Sequence, residues 1–190
     1  MAAAIDVARQ FVRLAWNNEE PEGLTHMRLQ KLLYYAQGWH LAAFGRPLFV
    51  GRVEAWKHGP VVKELYPTFK DYKARSISPD DAGEPTLSDQ DATFIRSVWE
   101  EYKPHSAAGL RTMTHQESPW LEARGDLPED AMCDREISPA AMQSYFAERM
   151  QNLLIPGLSV GESYNAVEAV KRGPRHSHRE VFDQLRGSRV

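Results

Sequence analysis

A mainly α fold (α+β), with six or seven helices around one short β element, is what this sequence predicts. Three observations lead there. Apolar residues recur at helical spacing in most segments. The starts of those segments repeat a Ser or Thr cap, in two cases followed directly by proline. Only one run, PLFVGRVEAWKH, is concentrated in β-favouring residues.

Ile5, Ala8, Val12 and Ala15, widened by Phe11 and Trp16, predict an amphipathic helix over 2–16, which NNEEPEG then breaks. Thr25 is placed to cap a second, longer helix. Its stripe is Leu29, Leu32/Leu33, Ala36, Trp39 and Ala43; Gly45 supplies a left-handed end and Pro47 prevents resumption. Gly38 inside that helix costs about 1 kcal/mol relative to Ala, so something is expected to pack close to the backbone there. In the β run, Val53, Ala55 and Lys57 alternate with Glu54 and Trp56. Pro60 fits the first position of a following helix, with Val61/Val62, Leu65 and Phe69 as its buried face and Pro67 kinking it.

The acidic segment 75–88 reads as a loop. Ser88 caps a helix through about 103, with Asp91 three residues on, and Ala92, Ile95, Val98/Trp99 and Tyr102 form its face. SAAGLRTMTHQE predicts a short helix after Pro104. Ser118-Pro119 opens another that ends at Gly125, and Ser138-Pro139 opens one carrying Met142, Tyr145/Phe146 and Met150. These segments make a body of residues 1–152. Residues 153–190 are a tail with two short helical patterns, which need a surface to dock on.

Charge separates the same two parts. Residues 171–190 hold six Lys/Arg against Glu180 and Asp183, so they carry +4, and the rest of a chain of net charge −3 carries −7. The tail residues Lys171, Arg172, Arg175, Arg179, Phe182 and Arg186 are therefore candidates for contact with a partner protein or with DNA phosphates. Direct reading of DNA by the acidic body is disfavoured.

Several function classes are argued against. No apolar run approaches the roughly 18–20 residues that cross a bilayer, so no membrane partner is expected. Asp6 and Arg9 interrupt the N-terminal stretch, which does not read as a secretory leader. The single cysteine, Cys133, allows no internal disulfide and fits a reducing cytoplasm; its acidic neighbours disfavour a thiolate nucleophile. His176 and His178 alternate without a third or fourth ligand nearby, so no metal is expected. His26, His40, His105 and His115 carry no pairing signal. Phosphate-loop, dinucleotide, nucleophile-elbow and zinc-protease motifs are missing, and no cofactor or catalytic residue is assigned. Glu54 and His58, with Lys57, could be drawn as a base, its orienter and a charge stabiliser, but no nucleophile or second carboxylate accompanies them.

One stretch resists so bland a treatment: EAWKHGPVVKELY, at 54–66. Gly59-Pro60 reads as a structural turn that starts a helix and sets Trp56, Lys57 and His58 beside the Tyr34/Tyr35 helix. Two readings of the resulting corner stay open, because interface anchors and core aromatics are drawn from the same residue types. In one, Lys31, Tyr34, Tyr35, Trp56, Lys57 and His58 contact a partner; in the other they hold the domain together. YYAQGWH spreads polar-tipped aromatics around nearly the whole helix, so at least one is expected to reach a rim.

The stretch LTHMRLQKLLYYAQGWHLAAFGRPLFVGRVEAWKHGPVVKELY resembles the signature of the Panacea-domain proteins, the GepA-like antitoxins. The matching positions are Leu29 to Gln37, Gly45 to Phe49, Glu54 to Val61 and Tyr66, and SPWLEAR and ISPAAMQSYF look like that domain's closing helices. The likeness covers roughly residues 4–150 and leaves the tail outside. It implies a compact, mostly helical antitoxin of a bacterial or phage toxin–antitoxin pair, acting in the cytoplasm without catalysis on a cognate toxin protein. It further implies, from one member of the family, a proteolytic adaptor that hands its toxin to ClpX of the ClpXP protease. A DNA-binding autoregulator of its own operon is the alternative.

Overall fold

Thr25 accepts a hydrogen bond from the Arg28 N–H and so starts the element around which everything else is arranged. In a computed structural model that describes residues 1–17 and 23–154, this helix, α2 (His26–Phe44), ends at Gly45 with φ 65, the left-handed cap the sequence predicts. It runs through the middle of the molecule. α1 (Ala4–Asn17), α5 (Asp89–Tyr102), α6 (Ala107–His115) and α8 (Pro139–Leu154) pack on it, and α7 (Ser118–Arg124) bridges α6 and α8. The short helices α3 (Tyr66–Phe69) and α4 (Pro79–Ala82) lie in the connection between the sheet and α5. The tail residues Lys171, Arg172, Arg175, Arg179, Phe182 and Arg186, and with them the charge and docking expectations for the tail, lie outside the described residues.

The central position of α2 explains two departures from the expected stripe. Every residue from Arg28 to Leu41 is buried, not one face only, because neighbours close on all sides. None of the aromatic tips in YYAQGWH reaches a rim: Tyr34 and Tyr35 are fully covered and Trp39 nearly so. Two of the polar ends are answered inside, Tyr35 Oη donating to Glu117 Oε1 at 3.0 Å and Trp39 Nε1 to Tyr102 Oη at 2.9 Å. At Gly38 the expected close approach is the Phe146 ring of α8: a Cβ there would sit 2.1 Å from Phe146 Cε2. In α1, Trp16 stays exposed, and Val7 and Leu14 fill the face that was assigned to it.

The β element is a two-stranded antiparallel hairpin, β1 (Val53–Trp56) with β2 (Gly59–Val62), in which Trp56 pairs with Gly59 and Val53 with Val62. Here the structure corrects the sequence. Gly59-Pro60 does not start a helix: Lys57 and His58 make the turn, Gly59 at φ 91 completes it, and Pro60 is a strand residue opposite Ala55. Pro60 is tolerated because β2 is an edge strand, where a missing N–H breaks no central ladder. Nor does Pro67 kink a helix. It lies in the first turn of α3, where proline is at home, after a 3₁₀ turn over Lys63–Leu65. The segment 75–88 is a loop apart from α4. Ser88 accepts from the Asp91 N–H and donates to its carboxylate, as the capping pattern predicts, and Phe94 joins the buried face of α5.

Candidate functional site

The hairpin is held from below by side chains of α2 that bond to its backbone. Gln30 Oε1 accepts from the Val62 N–H at 2.8 Å, and Lys31 Nζ donates to the Pro60 carbonyl at 3.0 Å. One turn pair further on, Gln37 donates to the Phe49 carbonyl and accepts from the Leu48 and Phe49 N–H groups. These bonds satisfy backbone groups that a two-stranded sheet leaves unpaired. Gly59 is required twice over: its φ is positive, and a Cβ would meet Lys31 Cε at 2.7 Å and Thr114 Oγ1 at 2.8 Å.

This arrangement sorts the six residues of the proposed contact corner. Lys31, Tyr34 and Tyr35 are at most 1% exposed, so they support the hairpin and the core and offer no face to a partner in this structure. Tyr34 sits edge-on to Tyr35 and Phe146, and Tyr35 stacks on Tyr102 at 3.9 Å. Trp56 and Lys57 are half-buried and His58 is exposed; these three remain at the surface. Trp56 is fixed by its indole N–H on Glu54 Oε2 (2.8 Å), by Tyr66 against its ring, and by Trp120 Nε1 donating to its carbonyl at 3.1 Å. Glu54 is buried and paired with Lys63 at 3.1 Å, which commits it to structure and away from the base-and-orienter pair drawn with His58.

Beside the turn lies a cleft of about 440 Å³, lined by Arg111 and His115 of α6, Trp120 and Arg124 of α7, and Leu127 and Glu129 of the following segment. His115 stacks on Trp120 at 4.1 Å and its Nδ1 lies 3.1 Å from Glu129 Oε1. Arg124 is buried under Trp120 and donates to the carbonyls of Ala55, Pro128, Glu129 and Ala131, tying α7 and the 128–131 segment to β1. The sequence reading did not find this site. The usable signal was Arg111 and His115 at i,i+4, which places both on one face of α6.

Burial and neighbouring cations both disfavour positive charge on the titratable groups of this region. Burial, then the nearby Arg111, lowers the Lys31 ammonium to about 7. His58 is held below its ordinary value by desolvation and then by Arg111, Lys57 and Lys31. His115 is also lowered, mostly by burial, with Glu129 pulling the other way. A second buried group is Glu117, raised to about 7 by burial despite the hydrogen bond it accepts from Tyr35. Cys133 is buried. Among the described residues no cluster of three or more His, Cys, Asp or Glu is placed to hold a metal, and no helix is long and apolar enough to cross a membrane.

Residues 29–121, just under half of the chain, match the family described as "Antitoxin SocA-like, Panacea domain", a stretch that takes in the central YYAQ helix, the hairpin and part of SPWLEAR. Particular likeness is found to Antitoxin SocA of Caulobacter vibrioides (strain NA1000 / CB15N), 50% identical over 46 residues. That stretch is 24% of this chain and 24% of the relative, so the aligned part spans about a quarter of the relative's length. No solved structure matches.

Proposed function

We propose that the protein is an antitoxin that binds and neutralises a cognate protein toxin, and that residues 1–152 form the neutralising domain. The observation that carries this reading is the match of residues 29–121 to the SocA-like Panacea domain. The surface turn Trp56–Lys57–His58, of which His58 is exposed, and the adjoining Arg111–Trp120 cleft supply a surface of aromatic and cationic groups, the residue types that anchor interfaces. On this reading no bond is made or broken on the protein: it acts in the cytoplasm by holding another polypeptide. Delivery of the toxin to ClpXP is the finer mechanism, supported by likeness to SocA over a short stretch.

Expression of the neighbouring reading frame with and without this protein tests the proposal. Relief of toxicity is expected, together with a shorter toxin half-life in cells that have ClpXP than in cells that lack it. Relief with an unchanged half-life would retain the antitoxin and remove the adaptor. The autoregulator reading rests on the +4 segment 171–190; it requires salt-dependent binding to the protein's own promoter that is lost when that segment is deleted.

A further inference from the structure

We propose that the cleft between α6, α7 and the 126–131 segment is a carboxylate subsite, which takes an Asp or Glu side chain from an acidic segment of the partner polypeptide. Three features converge on it. First, the Arg124 guanidinium that lines it is left without counter-charge: it is spent on four neutral carbonyls, and among the described residues it has no carboxylate within 4 Å. Neutral acceptors satisfy the donors but leave the charge, so the cleft floor keeps a positive field. Second, a donor there is unused: Arg111 Nε is buried and has no hydrogen-bond partner. A group of that kind is ordinarily satisfied, and a ligand carboxylate oxygen would satisfy it.

Third, the site already holds a stand-in. Glu129, with a side chain 72% exposed, leans its carboxylate in to His115 Nδ1 at 3.1 Å and stops 3.9 Å short of Arg111 Nη2. That shows which group the cleft recognises. It also shows that the internal occupant fits poorly, since 3.9 Å is too long for a hydrogen bond. A carboxylate arriving from outside can displace so exposed a residue and close on Arg111. A peptide is favoured over a nucleic acid because the chain outside 171–190 carries −7, which repels an extended phosphate backbone but admits a single side chain. The inference rests on the antitoxin reading only for the partner's identity.

The test is calorimetric titration of the full-length protein with hexaglutamate at physiological salt, with hexaglutamine, inorganic phosphate and a single-stranded oligonucleotide alongside. The basic segment 171–190 is a second cationic surface, so the reading is taken between variants that leave it unchanged. Glu129→Gln, at an exposed site, is expected to tighten hexaglutamate about threefold or more, and Arg111→Gln to weaken it about tenfold. Hexaglutamate binding unmoved by both variants would overturn the subsite. Phosphate or oligonucleotide binding that responds to them while hexaglutamate does not would overturn the peptide assignment. If the peptide follows both variants but the protein rescues no cell from its neighbour's product, the cleft stands and the antitoxin reading falls. If Arg111→Gln loses the peptide yet rescues fully, the toxin is not the occupant.

Discussion

Two faces of the molecule invite opposite treatment. The helix α2 carries the motif that is conspicuous in the sequence, and its Lys31, Tyr34, Tyr35 and Gln37 are buried, bonded and committed to support. The α6–α7 cleft is inconspicuous in the sequence, yet there buried polar atoms lie unpartnered beside open space. A dense motif marks where side chains must bond to backbone or pack at one geometry. A binding surface needs chemistry left over after folding, and that is a property of exposure and not of residue type.

If this division holds, the largest stability loss belongs on the α2 side. Phe146→Ala removes the ring that fills the notch at Gly38 and touches Tyr34, Tyr35 and Trp39. Denaturant unfolding should show a loss of about 3–5 kcal/mol; a loss below about 1 kcal/mol would mean that α8 is not packed there.

A smaller, pH-shaped effect comes from Glu117. Its folded value, about 7, exceeds the ordinary 4.5, so the folded state holds the proton more tightly. The resulting stability is fully present below pH 4.5 and is lost as pH rises through 7. His26, lowered to about 4 by burial and then Lys31, works in the other direction and loses its contribution as pH falls from 6.5 through 4. Melting temperatures of wild type and Glu117→Gln across pH 4.5–8 isolate the first term. The wild-type advantage should shrink as pH rises, and a constant difference would refute the buried acid. The smallest effect belongs to the cleft: Arg111→Gln should change stability by less than about 0.5 kcal/mol, because no structural bond is lost at its partnerless Nε and the 3.9 Å approach to Glu129 is long.

Much of the fold was legible in the sequence, because capping and periodicity are local. Thr25, Gly45 and Ser88 act where the residue types say they should, and Gly38 announced a close neighbour without naming it. Pro60 misled because proline suits both a first helical turn and an edge strand, and which applies depends on Gln30 and Lys31 bonding to β2 from 30 residues away. The aromatics of YYAQGWH were ambiguous for a related reason: burial of a tyrosine tip depends on a distant acceptor, here Glu117, and no local pattern reports that. The cleft was invisible because Arg111, His115, Arg124 and Glu129 meet only once α6, α7 and the 126–131 segment have folded together.

The central claim, that a toxin is gripped at the hairpin turn and the cleft beside it, has a direct measurement. Cells expressing the neighbouring frame's product are rescued with wild type or with a Lys57→Glu, His58→Glu, Arg111→Glu variant, matched for soluble level and melting temperature. The account predicts that reversing charge at these exposed and half-exposed positions abolishes rescue and co-purification of the toxin while the fold persists. Full rescue by the folded variant would contradict it.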